Sequence, residues 1–241
     1  MSFLKTFSLY IIFKNQNKNN LNLKINLFDI KLSTKIFRLS LSYHLDNISN
    51  IIRNNGFILL IGIFFSPIII GLISTVRTLF YFLPIRFLDT INDTLFFEFS
   101  KIHGKNDIVS SKKIFKSHIY INIFLLTIFS TLSLLFGKLV YEFWTNNEYN
   151  LSLNLLILII IDTVLFNFFN SIETFIKSIN KFFYSSLVKT LLSTLTILIC
   201  YVLFTEGYSY LVYFIFNIIS SFFVLIVVLM NTFKIFKKYN K

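Results

Sequence analysis

Arg77 stands in the middle of an apolar stretch, GLISTVRTLFYFLPIRFLDTIND from Gly71 to Asp93. A cation inside a membrane helix costs at least a few kcal/mol, so such a residue faces a partner, a cavity or a ligand. Arg77 lies about ten residues, roughly 15 Å, past the helix start at Ser66-Pro67, which is near the bilayer midplane. Two chemistries are open to it. It can pair with a carboxylate in a packed bundle, or it can hold an anion in a transport cavity by bidentate hydrogen bonding.

Other polar side chains share its surroundings. Arg86, Asp89, Asn92 and Asp93 form a stripe about two and a half to four and a half turns further on. In the preceding apolar segment Asp46, Asn50, Arg53 and Asn54 are spaced i, i+4, i+7 and i+8, which places them on one helical face. Between Asp162 and Ser178 the residues Asp162, Asn167, Asn170 and Glu173 fall with Thr163, Ser171, Thr174 and Lys177 on one half of a helical wheel, where only Phe166 intrudes. Such a helix has water or a polar ligand on one side and lipid or protein on the other. A span this long overshoots a core of roughly 30 Å, so Lys177 and Glu173 also fit simple projection into the cytosol, whereas Asp162 and Asn167 do not. Ser185, Lys189, Ser193 and Thr196 repeat the pattern more weakly, in a manner that suits helix packing better than ligand binding.

The elements that position these groups are membrane helices. Of the 241 residues 55% are hydrophobic and only 14% charged, against about 25% charged in soluble domains. Six spans are expected: 41–65, 68–100 with a kink at Pro84, 119–141, 151–179, 182–204 and 208–233. The net charge of +12 comes from Lys and Arg at helix ends and in alternate loops, above all Lys101, Lys105, Lys112, Lys113 and Lys116. That is the positive-inside pattern and not a nucleic-acid face. It places both termini in the cytoplasm. Residues 1–40 read as a partial helix and a polar linker, 41–238 as the six-helix unit, and 239–241 as a tail. The N-terminal apolar run at 8–13 is too short for a span and lacks a signal-peptide cleavage site.

Catalysis is not indicated. His44, His103 and His118 are scattered, the lone Cys200 excludes a disulfide or a Cys metal site built from this chain alone, and no metal or phosphate-loop motif is present. The reading is therefore of a non-enzyme without cofactor.

Several segments carry a resemblance. Gly71, Thr75-Val76-Arg77, Phe99-Ser100 and Gly104-Lys105-Asn106-Asp107 follow, in order, the second helix and basic loop of the C-terminal lobe in polysaccharide-biosynthesis flippases. LLFGKLVYEFWTNNEY and FIKSINKFFYSSLVKTLL resemble that family's next outer helix end and the basic connection after it. The family belongs to the multidrug/oligosaccharidyl-lipid/polysaccharide exporter superfamily, and the resemblance spans about 41–238. It departs at the exit proline, which FFEFS lacks.

The resemblance implies an all-α membrane protein, a six-helix bundle equivalent to one lobe of a two-lobe flippase. It implies movement of undecaprenyl-pyrophosphate-linked oligosaccharide repeat units across the bacterial inner membrane for O-antigen or other surface polysaccharide. A second six-helix lobe, as an N-terminal half or a partner chain, is expected with it. Arg77, Arg53 and Arg86 would then meet the pyrophosphate, and Asp162, Asn167 and Asn170 the sugar hydroxyls or a coupling ion. Asp89, Asp93 and Glu173 would complete the cavity wall. The competing readings are a cation-coupled drug exporter of the same fold and a membrane enzyme of envelope polysaccharide assembly.

Overall fold

In the computed structural model residues 30–105 and 107–239 are described, and all their regular structure is helical. Of the segment 1–40 read as a partial helix and linker, residues 1–29 lie outside these residues, and 30–40 are helical. The chain divides into two units, 1–37 and 38–241. Of the first, residues 30–37 are described and begin a helix.

The helices are α1 (Ile30–Ile51), α2 (Phe57–Phe64), α3 (Pro67–Arg77), α4 (Leu83–Gly104), α5 (Ile108–Trp144), α6 (Leu153–Ser178), α7 (Phe183–Thr205) and α8 (Leu211–Tyr239). Two π-helical turns, π1 (Ile52–Gly56) and π2 (Thr78–Phe82), join α1 to α2 and α3 to α4. They make two long continuous rods, so the bundle has six rods as the periodicity predicts. The five stretches Pro67–Gly104, Ile108–Trp144, Leu153–Ser178, Phe183–Thr205 and Leu211–Lys237 are each long and apolar enough to cross a membrane. The rod from Ile30 to Phe64 is apolar only in its second half. The chain is an all-α membrane helix bundle.

The rods stop where local chemistry says they should. Ser66-Pro67 opens α3 with proline in the first turn, where its missing N–H costs nothing. The Asp107 carboxylate caps α5 by accepting from the Ser110 N–H at 3.0 Å, and Ser152 caps α6 at the Leu155 N–H. The hydrogen bonds from Ser110 hold the Asp107 carboxyl below the usual carboxylate range. The Gly-x-x-Asp turn is thus a helix stop followed by an N-cap. At the other ends α5, α6 and α7 close alike. Asn146, Asn180 and Gly207 adopt positive φ, and the next N–H reaches back to the carbonyl five residues earlier: Asn147 to Glu142, Lys181 to Ile176 and Tyr208 to Leu203. These are Schellman turns, in which Asn and Gly carry little steric penalty.

The central rod is α6. It packs against α4, α5, α8 and π2, while α7 packs against α8, π1 and α2. Leu155, Ile159, Phe169, Ile172 and Phe175 are fully or almost fully buried along it. Without a hydrophobic drive inside lipid, small and polar residues must supply close approach and hydrogen bonds. Ser171 does so, donating to Asn122 Oδ1 at 2.7 Å and accepting His118 Nε2 at its carbonyl at 3.1 Å. On α7 the residues Ser185, Ser193, Thr196 and Cys200 are buried, which fits their packing role. By contrast α5 shows Phe124, Leu135 and Leu139 outward, an apolar surface suited to lipid.

The irregularity expected at Pro84 takes the form of π2 rather than a simple proline kink. Pro84 has no N–H for the carbonyl of Phe80, four residues back. Thr163 of α6 fills the gap by donating its hydroxyl to that carbonyl at 2.8 Å.

The 37 residues of α5 span about 55 Å, long enough for its two ends to reach opposite sides of a bilayer. Cysteines placed at Lys105 and Glu148 in a Cys200→Ser background are expected to react with an impermeant maleimide from opposite faces of sealed vesicles. The inside face should be that of Lys105, because Lys101, Lys105, Lys112, Lys113 and Lys116 gather where α4 ends and α5 begins. Equal labelling of both from one face would refute this topology.

Candidate functional site

A polar cavity of about 450 Å³ opens between the first rod, the π2–α4 rod and α6. Asn47, Asn50 and Asn54 line it from α1 and π1. Tyr81, Phe82, Ile85, Arg86, Asp89, Asn92, Asp93 and Phe96 line it from π2 and α4, and Phe166, Asn170, Thr174 and Lys177 from α6. From Phe82 to Phe96 the wall runs about 21 Å along the helix axis. Tyr81 and Phe166, beside Asn54 and Phe82 at one end, are buried, and Asp93, beside Phe96 and Lys177 at the other, is exposed, which makes these the deep end and the mouth.

The two π turns lie against the deep end, and they explain why the polar residues crowd there. A π turn leaves backbone carbonyls without their ordinary partner four residues on. Tyr213 donates to the Arg53 carbonyl at 2.7 Å, and Arg77 Nη1 donates to the Asn54 carbonyl at 3.2 Å. Arg77 Nη2 also reaches Asn54 Oδ1 at 2.8 Å. The carbonyls of π1 are therefore stitched by side chains from other helices, and π1 is tied to α3 through Arg77.

Arg53 is 6% exposed and lies behind the cavity. Its Nη2 donates to Asp162 Oδ1 at 2.6 Å and its Nη1 to Ser221 Oγ at 2.9 Å, while Asn217 donates to Asp162 Oδ2 at 2.9 Å. The guanidinium lies 4.3 Å from the ring centre of Phe166, which is itself cavity lining. Arg77 is similarly hidden, with the rings of Phe57, Tyr81 and Phe82 all within 5.3 Å of its guanidinium. Among the described residues Arg77 makes no ion pair. Of the two guanidinium groups only that of Arg53 is paired, with Asp162, so one positive charge in excess sits behind the cavity floor. The Arg53 Nε–H and the Tyr81 hydroxyl are buried there with no hydrogen-bond partner.

Nearer the mouth a second buried group joins α1, α6 and α7. Lys189 pairs with Asp46 at 2.5 Å and Glu173 at 2.8 Å, and Lys177 pairs with the same two carboxylates at 2.7 and 3.2 Å. Two positive and two negative charges balance.

The nine residues expected to form the cavity separate into two sets. Arg86, Asp89, Asp93 and Asn170 line it. Arg53, Arg77, Asp162, Asn167 and Glu173 are buried behind the lining, which corrects their expected place on its surface. Glu173 and Asp162 meet cations of other helices, and Asn167 donates to the Thr163 carbonyl one turn earlier at 2.8 Å. The polar half-wheel of α6 therefore faces neighbouring helices over most of its length, because α6 is the centre of the bundle. Only Asn170, Thr174 and Lys177 reach the cavity. The carboxylate pairing open to Arg77 is not the one it makes, since its hydrogen-bond partner is Asn54.

Tyr81 and Asn217 were not singled out from sequence. The signal for Tyr81 is its place one turn after Arg77. That for Asn217 is its spacing of four from Ser221 in an otherwise apolar run.

Comparison of this chain with protein-family models, with curated proteins and with solved structures gives no match. What fold and site define is a class: a multi-pass helical membrane protein with a polar cavity among its helices.

Proposed function

We propose that this chain is a six-helix lobe of a flippase that carries a lipid-linked oligosaccharide, joined through pyrophosphate, across a bacterial cytoplasmic membrane. The observation that carries the reading is the polar cavity with an excess positive charge behind its floor. An anion at the deep end would lie in the field of Arg53 and Arg77 in a low-dielectric setting, where charge acts strongly. The amides of Asn47, Asn50, Asn92 and Asn170 then offer donors and acceptors to sugar hydroxyls. The resemblance in motif order to polysaccharide-biosynthesis flippases, read from the sequence, supports the same reading.

Asn47, Arg86 and Asp93 are exposed along the open side. Polar groups at bilayer depth need an aqueous or protein covering, and a second six-helix lobe would supply it while rocking about the cargo. The test uses the whole chain in nanodiscs and three probes: undecaprenyl-pyrophosphoryl disaccharide, undecaprenyl pyrophosphate and undecaprenol. The pyrophosphate compounds are expected to bind at least about tenfold more tightly than the alcohol, with the preference shrinking as salt rises. Equal binding of all three would remove the proposal.

A further inference from the structure

The floor and the mouth of the cavity carry opposite excess charge. At the mouth Asp89 and Asp93 lie one helical turn apart, about 6 Å, with only Arg86 as a cation of their own helix face. Neither carboxylate makes an ion pair within 4 Å among the described residues. Lys177 is nearby, but its ammonium is taken up by Asp46 and Glu173. Asn92 sits between the two acids on the same wall, is 5% exposed, and keeps a buried side-chain oxygen with no hydrogen-bond partner. Three acceptors thus lie within five residues of α4, and none of them has an ion pair or hydrogen bond among the described residues.

We infer that this stretch receives a primary ammonium group on the cargo, so that the transported oligosaccharide bears a free amino sugar or amine substituent. The inference rests on the flippase reading and narrows its substrate. An ammonium has three N–H donors and no acceptor, which matches Asp89, Asp93 and the Asn92 oxygen in number and kind. The acids lie eight and twelve residues beyond Tyr81, about 12 and 18 Å along the axis. A cargo with its phosphates at the floor therefore presents its positive group some 12–18 Å away, on a sugar and not on the lipid linkage.

The test compares two probes on the whole chain in nanodiscs: an undecaprenyl-pyrophosphoryl disaccharide with a free 2-amino group on its outer sugar, and the same compound N-acetylated. The amino probe is expected to bind about tenfold more tightly, and Asp89→Asn/Asp93→Asn is expected to bring the two probes to equal affinity, whatever the variant does to cargo binding as a whole. Asp93→Asn alone, at an exposed position, should lose part of it and guards against a misfolded double variant. Equal binding of both probes by the native chain overturns the inference and leaves the flippase reading standing. Binding of neither overturns the flippase reading, and the amine inference with it. Displacement of the amino probe by millimolar sodium, but not by potassium, would show an inorganic cation site and also overturn the inference.

Discussion

Asp162→Ala is expected to remove most of the folded protein from the membrane. The substitution strips Arg53 of its carboxylate, with Ser221 left as its only hydrogen-bond partner, and strands a guanidinium that is 6% exposed. Breaking a buried pair from one side costs about 3–5 kcal/mol, a large share of the roughly 5–15 kcal/mol that holds a typical domain together. The companion variant Arg53→Met/Asp162→Leu removes both charges and keeps apolar volume, and it is expected to recover much of the loss, since replacing a whole pair by apolar groups is often near neutral. The measurement is the monodisperse peak in fluorescence-detected size exclusion after mild solubilisation. Normal abundance of Asp162→Ala would mean that the carboxylate faces water, as a cargo or ion ligand must, and would return it to the cavity surface.

The same residue shows what the sequence could convey. Membrane class, six rods and their approximate limits are legible in the hydrophobic runs and in lysine placement, because the bilayer demands continuous helices. The rod limits also obey short-range rules that need no tertiary knowledge, such as Asp107 and Ser152 as caps and Asn180 as a helix stop. The wheel through Asp162 correctly grouped the polar side chains of α6. It could not say whether that face meets water or protein, since an ion pair across a helix interface and a wet wall have the same periodicity.

Pairing is the long-range part. Asp46 meets Lys189 across 143 positions, and Arg77 meets Asn54 across 23. Nothing local announces either. The π turns were equally hidden. Each inserts one residue and rotates the helix beyond it, so i, i+4 reasoning through Arg53 and Asn54 sent both to one face. In the fold Arg53 turns inward to Asp162 while Asn54 keeps the cavity. A proline at 84 signalled trouble in that rod, and the structure places the irregularity in the turn before it.

The second large effect concerns Arg77 and separates charge from fork. Its two Nη atoms grip the carbonyl and the side chain of Asn54, and its charge has no carboxylate of its own. Arg77→Lys keeps the charge and loses the two-point grip. Arg77→Ala loses both, but Asn54 lines the cavity, so water can satisfy the oxygens left behind. Abundance of both variants is therefore expected to stay near that of the native chain, unlike Asp162→Ala. Affinity for undecaprenyl pyrophosphate is expected to fall about two- to fivefold in Arg77→Lys and more than tenfold in Arg77→Ala, the latter equal to at least about 1.4 kcal/mol. Affinity for undecaprenol should not change in either. Such a result assigns Arg77 to the field at the cavity floor. If Arg77→Ala instead keeps its pyrophosphate affinity at normal abundance, the floor charge is not what recognises the cargo. If abundance collapses in both variants, Arg77 is a structural tie between π1 and α3, and the anion must be held by groups on the cavity surface such as Arg86.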